Sequence, residues 1–371
     1  MMESREAVFF RWLLGEKEYI NWTESDLLKM ADRHRVLLYP FINKHQHCFY
    51  SDDFIEASRL EYLQNMQRVQ STDLFLKRLN RYLSSISAIG IVLKGIPLAN
   101  NYYASRFHRH TRDVDILIES GNIMAVSQWL VSQGYHMQSD YMQFNSKQQA
   151  DFREQSHHFC FYGHSAVLPQ VIELHWRCRS SIDAFSFDPF ALDAPLLKTN
   201  WDCIFTMDHL EQLIYLCVHG TEHRWYRLKW LLDLPVLMQH EKFHWNELSK
   251  RARELGAWEH LAVSMQLLQK LTGKYFMEGY DNMINDTAVC KKVNSILIAL
   301  QNSAMLETGY AAAFRQMFFQ ASFNRRFRKW TFWKRWLMSA ADWKRFPLPE
   351  KFHFLYYFMR PLFWVIRKSW S

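Results

Sequence analysis

The spacing of apolar residues changes twice along this 371-residue chain, and these changes constrain its fold more strongly than any other feature. Up to about residue 85, apolar side chains recur every three or four positions, as at Leu79 and Leu83, which indicates helices. Residues 86–178 instead contain short β-branched runs that are typical of strands. From about Trp201 the helical spacing returns. The pattern predicts an α+β fold, with a small mixed-sheet core between an N-terminal helical segment and a C-terminal helical domain.

The same changes divide the chain into four predicted parts. They are a helical segment (1–85), an α/β core (86–200), a helical domain (201–320) and a basic aromatic tail (321–371). Within the core, the predicted strands cover 87–93, 114–118, 157–162 and 171–176, and the predicted helices cover 98–104 and 121–131. The sequence contains no internal repeat, so these parts are not copies of one unit.

Composition excludes several classes of protein. The chain is 49% hydrophobic and 22% charged, which is typical of a globular protein and not of a disordered one. Its six Cys form no C-x-x-C pair, which argues against a zinc knuckle and against a disulfide framework. No uncharged apolar stretch of about 18 residues occurs, so we expect no transmembrane helix and a cytoplasmic location.

Positive charge is concentrated near the C-terminus. Residues 321–371 hold twelve Lys or Arg against Asp342 and Glu350, whereas the rest of the chain sums to −2 within a net charge of +8. The same tail contains six Trp. Basic and aromatic side chains together suit nucleic acid, anionic lipid or a phosphorylated ligand. We favour the alternative that the aromatic residues pack on the body while Arg and Lys face water.

Asp113 and Asp115 are the most informative polar residues. They stand two positions apart in a predicted strand, so both carboxylates point to one face and repel each other unless a cation lies between them. Mg²⁺ prefers carboxylate oxygens together with substrate phosphate, and it can activate an attacking oxygen. Glu173, on a separate predicted strand, is a candidate third carboxylate. An Asp-x-Asp pair alone is also common at a solvated strand edge, so a structural pair is the alternative.

Several further motifs accompany the acidic pair. They are Leu93-Lys94-Gly95, Tyr103, Arg109 four residues before Asp113, Glu173-Leu174-His175-Trp176, His219-Gly220 with His223, Trp225, Leu228 and Trp230, and Arg360-Pro361. Jointly these motifs resemble the nucleotidyltransferase superfamily related to DNA polymerase β. More closely, they resemble the large bacterial family labelled uncharacterised nucleotidyltransferase. The resemblance extends from about residue 85 to the C-terminus.

This resemblance implies transfer of a nucleoside monophosphate from an NTP such as ATP to an acceptor hydroxyl, with release of pyrophosphate. Asp113 and Asp115 would bind Mg²⁺ or Mn²⁺. Glu173 would be a third metal ligand or the base for the acceptor hydroxyl. The protein would contribute mainly positioning and charge neutralisation.

Four more residues are predicted to meet the nucleotide. Lys94 and Gly95 stand where most superfamily members carry Gly-Ser, so Lys94 would clamp phosphate in place of the serine, or else pair with the acids. Arg109 would contact the triphosphate or hold the acidic loop. Arg112 occupies a position that is commonly Gly in the family, and it would pair with a carboxylate or reach the ligand.

Histidines supply the remaining candidates. His219 and His223 lie in the sequence H-x-x-E-H, the inverted zinc-peptidase motif, and share one helix face. We favour instead a helix that offers both histidines to the nucleotide from the side of the cleft opposite the acids, or one that packs between domains. His157, His158 and His175 are either cleft residues or strand histidines with satisfied hydrogen bonds.

Three functions follow from these observations. The first is transfer of an NMP to a small molecule, a peptide or a glycan-related acceptor. The second is a toxin-like or RNA-end-modifying nucleotidyltransferase whose basic tail holds RNA, although nucleic acid is not the favoured partner. The third is a non-catalytic nucleotide-binding protein of a biosynthetic complex. No motif names the nucleotide base, the acceptor or the oligomeric state.

Overall fold

A computed structural model describes most of the chain as helices packed around one sheet. The described residues are 4–16, 22–42, 50–165, 167–179, 185–277, 286–301, 319, 322–323, 342–343, 346, 348–356 and 358–359. The predicted α+β class, with a mixed sheet between helical regions, is confirmed. No helix in these ranges is both long enough and apolar enough to cross a membrane.

The strands of the described chain form a mixed sheet in the order β3-β4-β5-β2-β1-β7-β6. Their bounds are β1 Gly90–Val92, β2 Asp113–Ile118, β3 Tyr135–Met137, β4 His158–Gly163, β5 Val171–His175, β6 Leu196–Trp201 and β7 Ile204–Met207. Strand β2 runs antiparallel to β1 and parallel to β5, and β1 runs parallel to β7. Strand β2 therefore lies inside the sheet, with a paired neighbour on each side.

Helices precede, interrupt and follow the strands. Their bounds in the described residues are α1 Arg5–Leu13, α2 Glu24–His34, α3 Tyr39–Ile42, α4 Asp52–Ser85, α5 Ile96–Tyr102, α6 Ile123–Ser132, α7 Ser146–Gln155, α8 His209–Glu222, α9 Leu228–His240, α10 Trp245–Glu254, α11 Trp258–Thr272 and α12 Thr287–Gln301. Side-chain caps fix several starts. Thr23 and Ser51, for example, accept hydrogen bonds from the backbone N–H groups of Asp26 and Phe54.

One hairpin departs from the expectation. The sequence pattern predicts helical structure from about Trp201, but residues up to Met207 belong to the hairpin β6–β7, and α8 begins only at His209. Strand β6 mixes polar and apolar residues at the sheet edge, and β7 has only four residues. Neither strand therefore gives the long periodic signal on which a sequence-based prediction depends.

The two faces of the sheet pack against different helices. On one face, Val114 and Ile116 of β2 belong to a core shared with α4 and α6. On the other face, Leu117 belongs to a larger core formed with α1, α2 and α8–α12. Burial of one such aliphatic side chain contributes about 1.5–3 kcal/mol, so both faces hold β2 in place. Asp113 and Asp115 share the parity of Leu117 and face this second core.

Short pieces of the basic aromatic tail lie within the described residues. Trp343 and Tyr356 are buried there, in a small cluster with aromatic residues in and beside α7. His353 Nε2 lies 2.9 Å from Asp151 Oδ2 of α7. These pieces pack on the body of the protein. The predicted Arg360-Pro361 motif lies outside the described residues.

Candidate active site

Two parallel strands bring the predicted carboxylates together. Asp115 of β2 and Glu173 of β5 are direct Cα partners, and Asp113 lies two positions earlier, opposite Val171. Because positions i and i+2 of a strand share a face, all three carboxylates project from the same side. The Asp115 side chain is 3% exposed, whereas those of Asp113 and Glu173 are 31% and 29% exposed. The acidic group therefore has one buried member and two that reach solvent.

Lys94 lies between the two aspartates, two residues after the end of β1. Its Nζ is 2.5 Å from Asp115 Oδ2 and 3.5 Å from Asp113 Oδ2, and its side chain is 8% exposed. Gly95 follows with φ +87°, a conformation that residues with a Cβ rarely adopt, and α5 begins directly after it. This glycine turn ends the strand and leaves the Lys94 ammonium beside both carboxylates.

His175 completes a compact group of possible metal ligands. Its Nε2 lies 3.6 Å from Asp115 Oδ1 and 3.5 Å from Glu173 Oε2. One ligand atom from each of these three residues lies within 4.8 Å of the other two. Two carboxylates and an imidazole form a donor set that divalent cations accept, so these residues fit a metal ion. Asp113 is linked to this group through Lys94.

Neighbouring charges hold the acidic residues ionised despite burial. Burial raises the pKa of Asp113, but the charges of Lys94 and Lys229 and a backbone hydrogen bond together hold that pKa below its usual value. Burial also disfavours ionised Glu173, yet its polar contact with His175 and the charge of Lys94 lower its pKa. For His175, burial lowers the pKa, but contact with Asp115 and Glu173 raises it more, so the pKa lies above its ordinary value. Ionised carboxylates are the form that metal coordination requires.

Arg109 is bound to a carboxylate outside this group. Its Nε and Nη2 donate to the two oxygens of Asp233, on α9, at 2.8 and 2.7 Å, and the two side chains are 5% and 0% exposed. The Tyr103 hydroxyl donates to Asp233 Oδ1 at 2.6 Å. A bidentate Arg–carboxylate pair fixes geometry as well as charge. Arg109 thereby holds the loop before the acidic strand against helix α9.

Lys229 and Arg35, which belong to none of the sequence motifs, add positive charge near Asp113. Lys229 of α9 is 7% exposed, and no carboxylate of a described residue lies within 4.0 Å of its ammonium. Burial lowers the pKa of Lys229 to about 7, and the charge of Asp113 opposes that shift. Arg35, the left-handed C-cap of α2, has its pKa lowered by burial and then by the charges of Arg227 and Arg112. Positive charge therefore accumulates beside the exposed aspartate.

The H-x-x-E-H helix α8 has a different set of partners. Arg179 pairs with Glu222 and lies 3.0 Å from His219 Nδ1. Burial lowers the pKa of His223 to about 3, so this imidazole is neutral at physiological pH. Neither His219 nor His223 belongs to a group of three possible metal ligands within the described residues. The zinc-peptidase alternative therefore has no support in this structure.

The fold brings some of the predicted site residues together and leaves the others apart. The residues that meet in one hydrogen-bonded or paired cluster are Lys94, Asp113, Asp115 and Glu173, the last through His175. The residues outside the hydrogen bonds of that cluster are Arg109, Arg112, His219 and His223. Asp233 and Lys229 escaped prediction. Asp233 stands 124 residues from Arg109, so no local pattern indicates their contact. The i, i+4 spacing of Lys229 and Asp233 on α9 indicates only that these two share a helix face.

Comparison with known proteins supplies the class. A search of curated proteins found no match. A family model described as uncharacterised nucleotidyltransferase matches residues 20–273, which is more than half of the chain. That range contains the whole sheet and every residue of the acidic group. The chain therefore belongs to the uncharacterised nucleotidyltransferase family and is an enzyme of that class.

Proposed function

We propose that this enzyme transfers a nucleoside monophosphate from an NTP to an acceptor hydroxyl, with Mg²⁺ or Mn²⁺ bound at Asp115 and Glu173. One observation carries the proposal: the parallel register of β2 and β5 sets these two carboxylates side by side, on the face that also presents Asp113. Three ionised carboxylates on one face repel each other unless cations join them. A small molecule, a peptide or a glycan-related compound would supply the acceptor hydroxyl.

The donor set indicates which residues would hold the cation. Asp115, Glu173 and His175 already lie within ligand distance of one another, and Asp113 adds a carboxylate on the same face. When bound, the cation would neutralise phosphate charge and lower the pKa of an attacking oxygen. The Lys94 ammonium, 2.5 Å from Asp115, holds the carboxylates in place by charge before substrate arrives.

The cationic side of the site would bind the triphosphate. Lys229 has no carboxylate partner within 4.0 Å among the described residues, so its ammonium can meet an anionic ligand. Because burial lowers the pKa of Lys229 to about 7, a phosphate beside it would favour the protonated form. Arg35 and the exposed Arg112 add guanidinium donors on the same side, and guanidinium groups match phosphate oxygens well.

Glu173 suits the role of metal ligand better than that of general base. Its pKa is held below the ordinary value, burial notwithstanding, by His175 and Lys94. A carboxylate with a low pKa is a weak proton acceptor near neutral pH. In-line attack on the α-phosphate would therefore depend mainly on positioning and charge neutralisation.

The other two functions have less support. The described pieces of the basic tail bury Trp343 and Tyr356 against the body, which removes these two rings from any stacking surface for RNA. Membership of an enzyme family argues against a non-catalytic nucleotide-binding protein. Small-molecule, peptide or glycan-related acceptors are therefore the first to be tested.

The test is nucleotide transfer in the presence of a complete set of acceptors. The protein is incubated with each labelled NTP, Mg²⁺ or Mn²⁺, and cell extract, and nucleotidylated products are identified by mass spectrometry. Removing a metal-binding carboxylate removes charge stabilisation of the transition state. We therefore expect Asp113→Asn and Asp115→Asn each to lose at least about 10³-fold in turnover, and Glu173→Gln about 10²-fold.

Glu119→Gln is the matched control because Glu119 is an exposed carboxylate directly after the other end of β2. This variant should keep wild-type turnover. Glu119→Gln should also keep the wild-type thermal unfolding temperature, whereas Asp115→Asn should lower it because it breaks the buried contact with Lys94, so each variant is assayed well below its own unfolding temperature. Full turnover in Asp115→Asn would contradict the proposed mechanism.

A further inference from the structure

Three histidines adjoin the acidic group. We propose that His157, His158 and His175 form a transition-metal site, with Zn²⁺ as the ion that suits it best. This site uses nitrogen donors and needs no nucleotide, and it shares His175 with the group that also contains Asp115 and Glu173. It also gives a use to two imidazoles that nucleotidyl transfer does not require.

The backbone brings the three imidazoles together. His158 of β4 and His175 of β5 are direct Cα partners in an antiparallel pair, and the Trp176 N–H donates to the His157 carbonyl at 3.0 Å. The rings of His157 and His158 lie 5.3 and 4.9 Å from that of His175. One nitrogen from each residue lies within 4.8 Å of the other two. Two neighbouring strands therefore hold the donor set in place before any ion binds.

The distance between the first two imidazoles suits a shared cation. His157 Nε2 and His158 Nδ1 are 3.2 Å apart. A tetrahedral Zn²⁺ with bonds of about 2.0–2.1 Å separates its nitrogen ligands by about 3.3 Å. A simple hydrogen bond between the two rings would give the same distance. The third histidine distinguishes these two explanations.

His175 is the residue that a hydrogen-bonded pair leaves unexplained. Its side chain is 3% exposed; Nε2 is paired with Asp115 and Glu173, whereas Nδ1 makes no hydrogen bond within the described part of the chain. A buried polar group left without a hydrogen bond costs about 1–3 kcal/mol. Coordination of an ion by this imidazole would remove that cost, and a metal-bound imidazole commonly places its second nitrogen near a carboxylate. Asp115 and Glu173 already stand 3.6 and 3.5 Å from Nε2.

Nitrogen donors select the type of metal. Imidazole suits Zn²⁺ and other transition metals, whereas Mg²⁺ prefers oxygen ligands. Three protein ligands leave a fourth position for water.

Cobalt provides the test because Co²⁺ replaces Zn²⁺ in such sites and absorbs visible light when its coordination is tetrahedral. The full-length protein is stripped with a chelator and titrated with Co²⁺ without nucleotide, and Zn²⁺ is then added as competitor. We expect about one equivalent of Co²⁺ to produce a visible band that Zn²⁺ abolishes. His158→Gln keeps a polar side chain but loses the imidazole, and it should weaken Co²⁺ binding at least about tenfold.

His136→Gln is the matched control, since His136 stacks on His164 at 5.2 Å on another part of the sheet. Its Co²⁺ affinity should equal that of the wild type. Asp115→Asn should abolish NTP turnover and keep the Co²⁺ band, which separates failure of this site from failure of the proposed activity. His157→Gln replaces His158→Gln if the latter does not fold. A wild-type protein without the band, or an unchanged Co²⁺ affinity in the glutamine variant, would overturn the proposal.

Discussion

Two buried cations meet carboxylates near the start of β2, and their surroundings differ. Arg109 and Asp233 are 5% and 0% exposed, and both Asp233 oxygens accept hydrogen bonds from within the protein. Lys94 is buried to a similar degree at 8%, but the Asp113 and Glu173 side chains beside it are 31% and 29% exposed. The first arrangement is a closed pair. The second is an open cluster.

The difference separates a residue with a structural role from the cluster proposed to bind a cation. In the closed pair, both Asp233 oxygens accept hydrogen bonds from Arg109 Nε and Nη2, so the pair fixes the loop before β2 to α9. In the open cluster, three carboxylates face one ammonium and one imidazole, so negative charge remains for another cation. Exposure and hydrogen bonding thus distinguish the closed pair from the open cluster, although Arg109 of the pair and Asp113 of the cluster belong to one sequence motif.

The largest expected effect comes from opening the closed pair. Arg109→Met removes the guanidinium and leaves the Asp233 carboxylate buried with the Tyr103 hydroxyl as its remaining donor. Breaking a buried ion pair in this way costs about 3–5 kcal/mol. We expect a fall of that size in the free energy of unfolding, measured by urea denaturation. Arg59→Met is the control, since Arg59 pairs with Glu56 at the surface, where the side chains are 52% and 67% exposed, and it should cost about 0–1 kcal/mol.

The second prediction is that a metal ion rescues the open cluster and not the closed pair. Lys94→Met removes the ammonium between the two aspartates, and we expect it to cost roughly 2 kcal/mol in chelator, less than Arg109→Met because the cluster reaches solvent. Millimolar Mg²⁺ should restore most of that loss, because a cation bound to the carboxylates replaces the missing charge. Mg²⁺ should return nothing to Arg109→Met. Equal rescue of both variants would erase the distinction between the two sites.

The fold class was predictable because its signals are local. The three- and four-residue spacing of apolar side chains indicates α4, and the Val114–Ile118 run indicates β2. The hairpin β6–β7 was not predictable in the same way, since its strands are short and lie at the edge of the sheet. A four-residue strand has too few positions for its period to differ clearly from that of a helix.

The candidate site also has a part that local sequence patterns predict and a part that they do not. Strand parity alone sets Asp113 beside Asp115 and Glu173 beside His175, because it depends on residues two positions apart. The register that pairs β2 with β5, and so Asp115 with Glu173, depends on which strands become neighbours. No local pattern encodes that choice. The same limit applies to Arg109 and Asp233, which stand 124 residues apart.

The smallest expected effect tests whether the closed pair takes any part in chemistry. Tyr103→Phe removes the hydroxyl that donates to Asp233 Oδ1 at 2.6 Å, while Arg109 Nε still donates to the same oxygen at 2.8 Å. Burial followed by the Asp233 charge raises the pKa of Tyr103 well above its ordinary value, so the wild-type hydroxyl stays a donor at any physiological pH. Loss of one hydrogen bond to a charged group that keeps its other donors should cost about 1.5 kcal/mol of unfolding free energy.

Tyr102→Phe is the control, because the wild-type Tyr102 hydroxyl contacts the half-exposed His209, and its loss should cost less. Neither variant should change the KM for NTP. A rise in that KM for Tyr103→Phe without a loss of stability would mean that Asp233 affects nucleotide binding. The closed pair would then belong to the binding site.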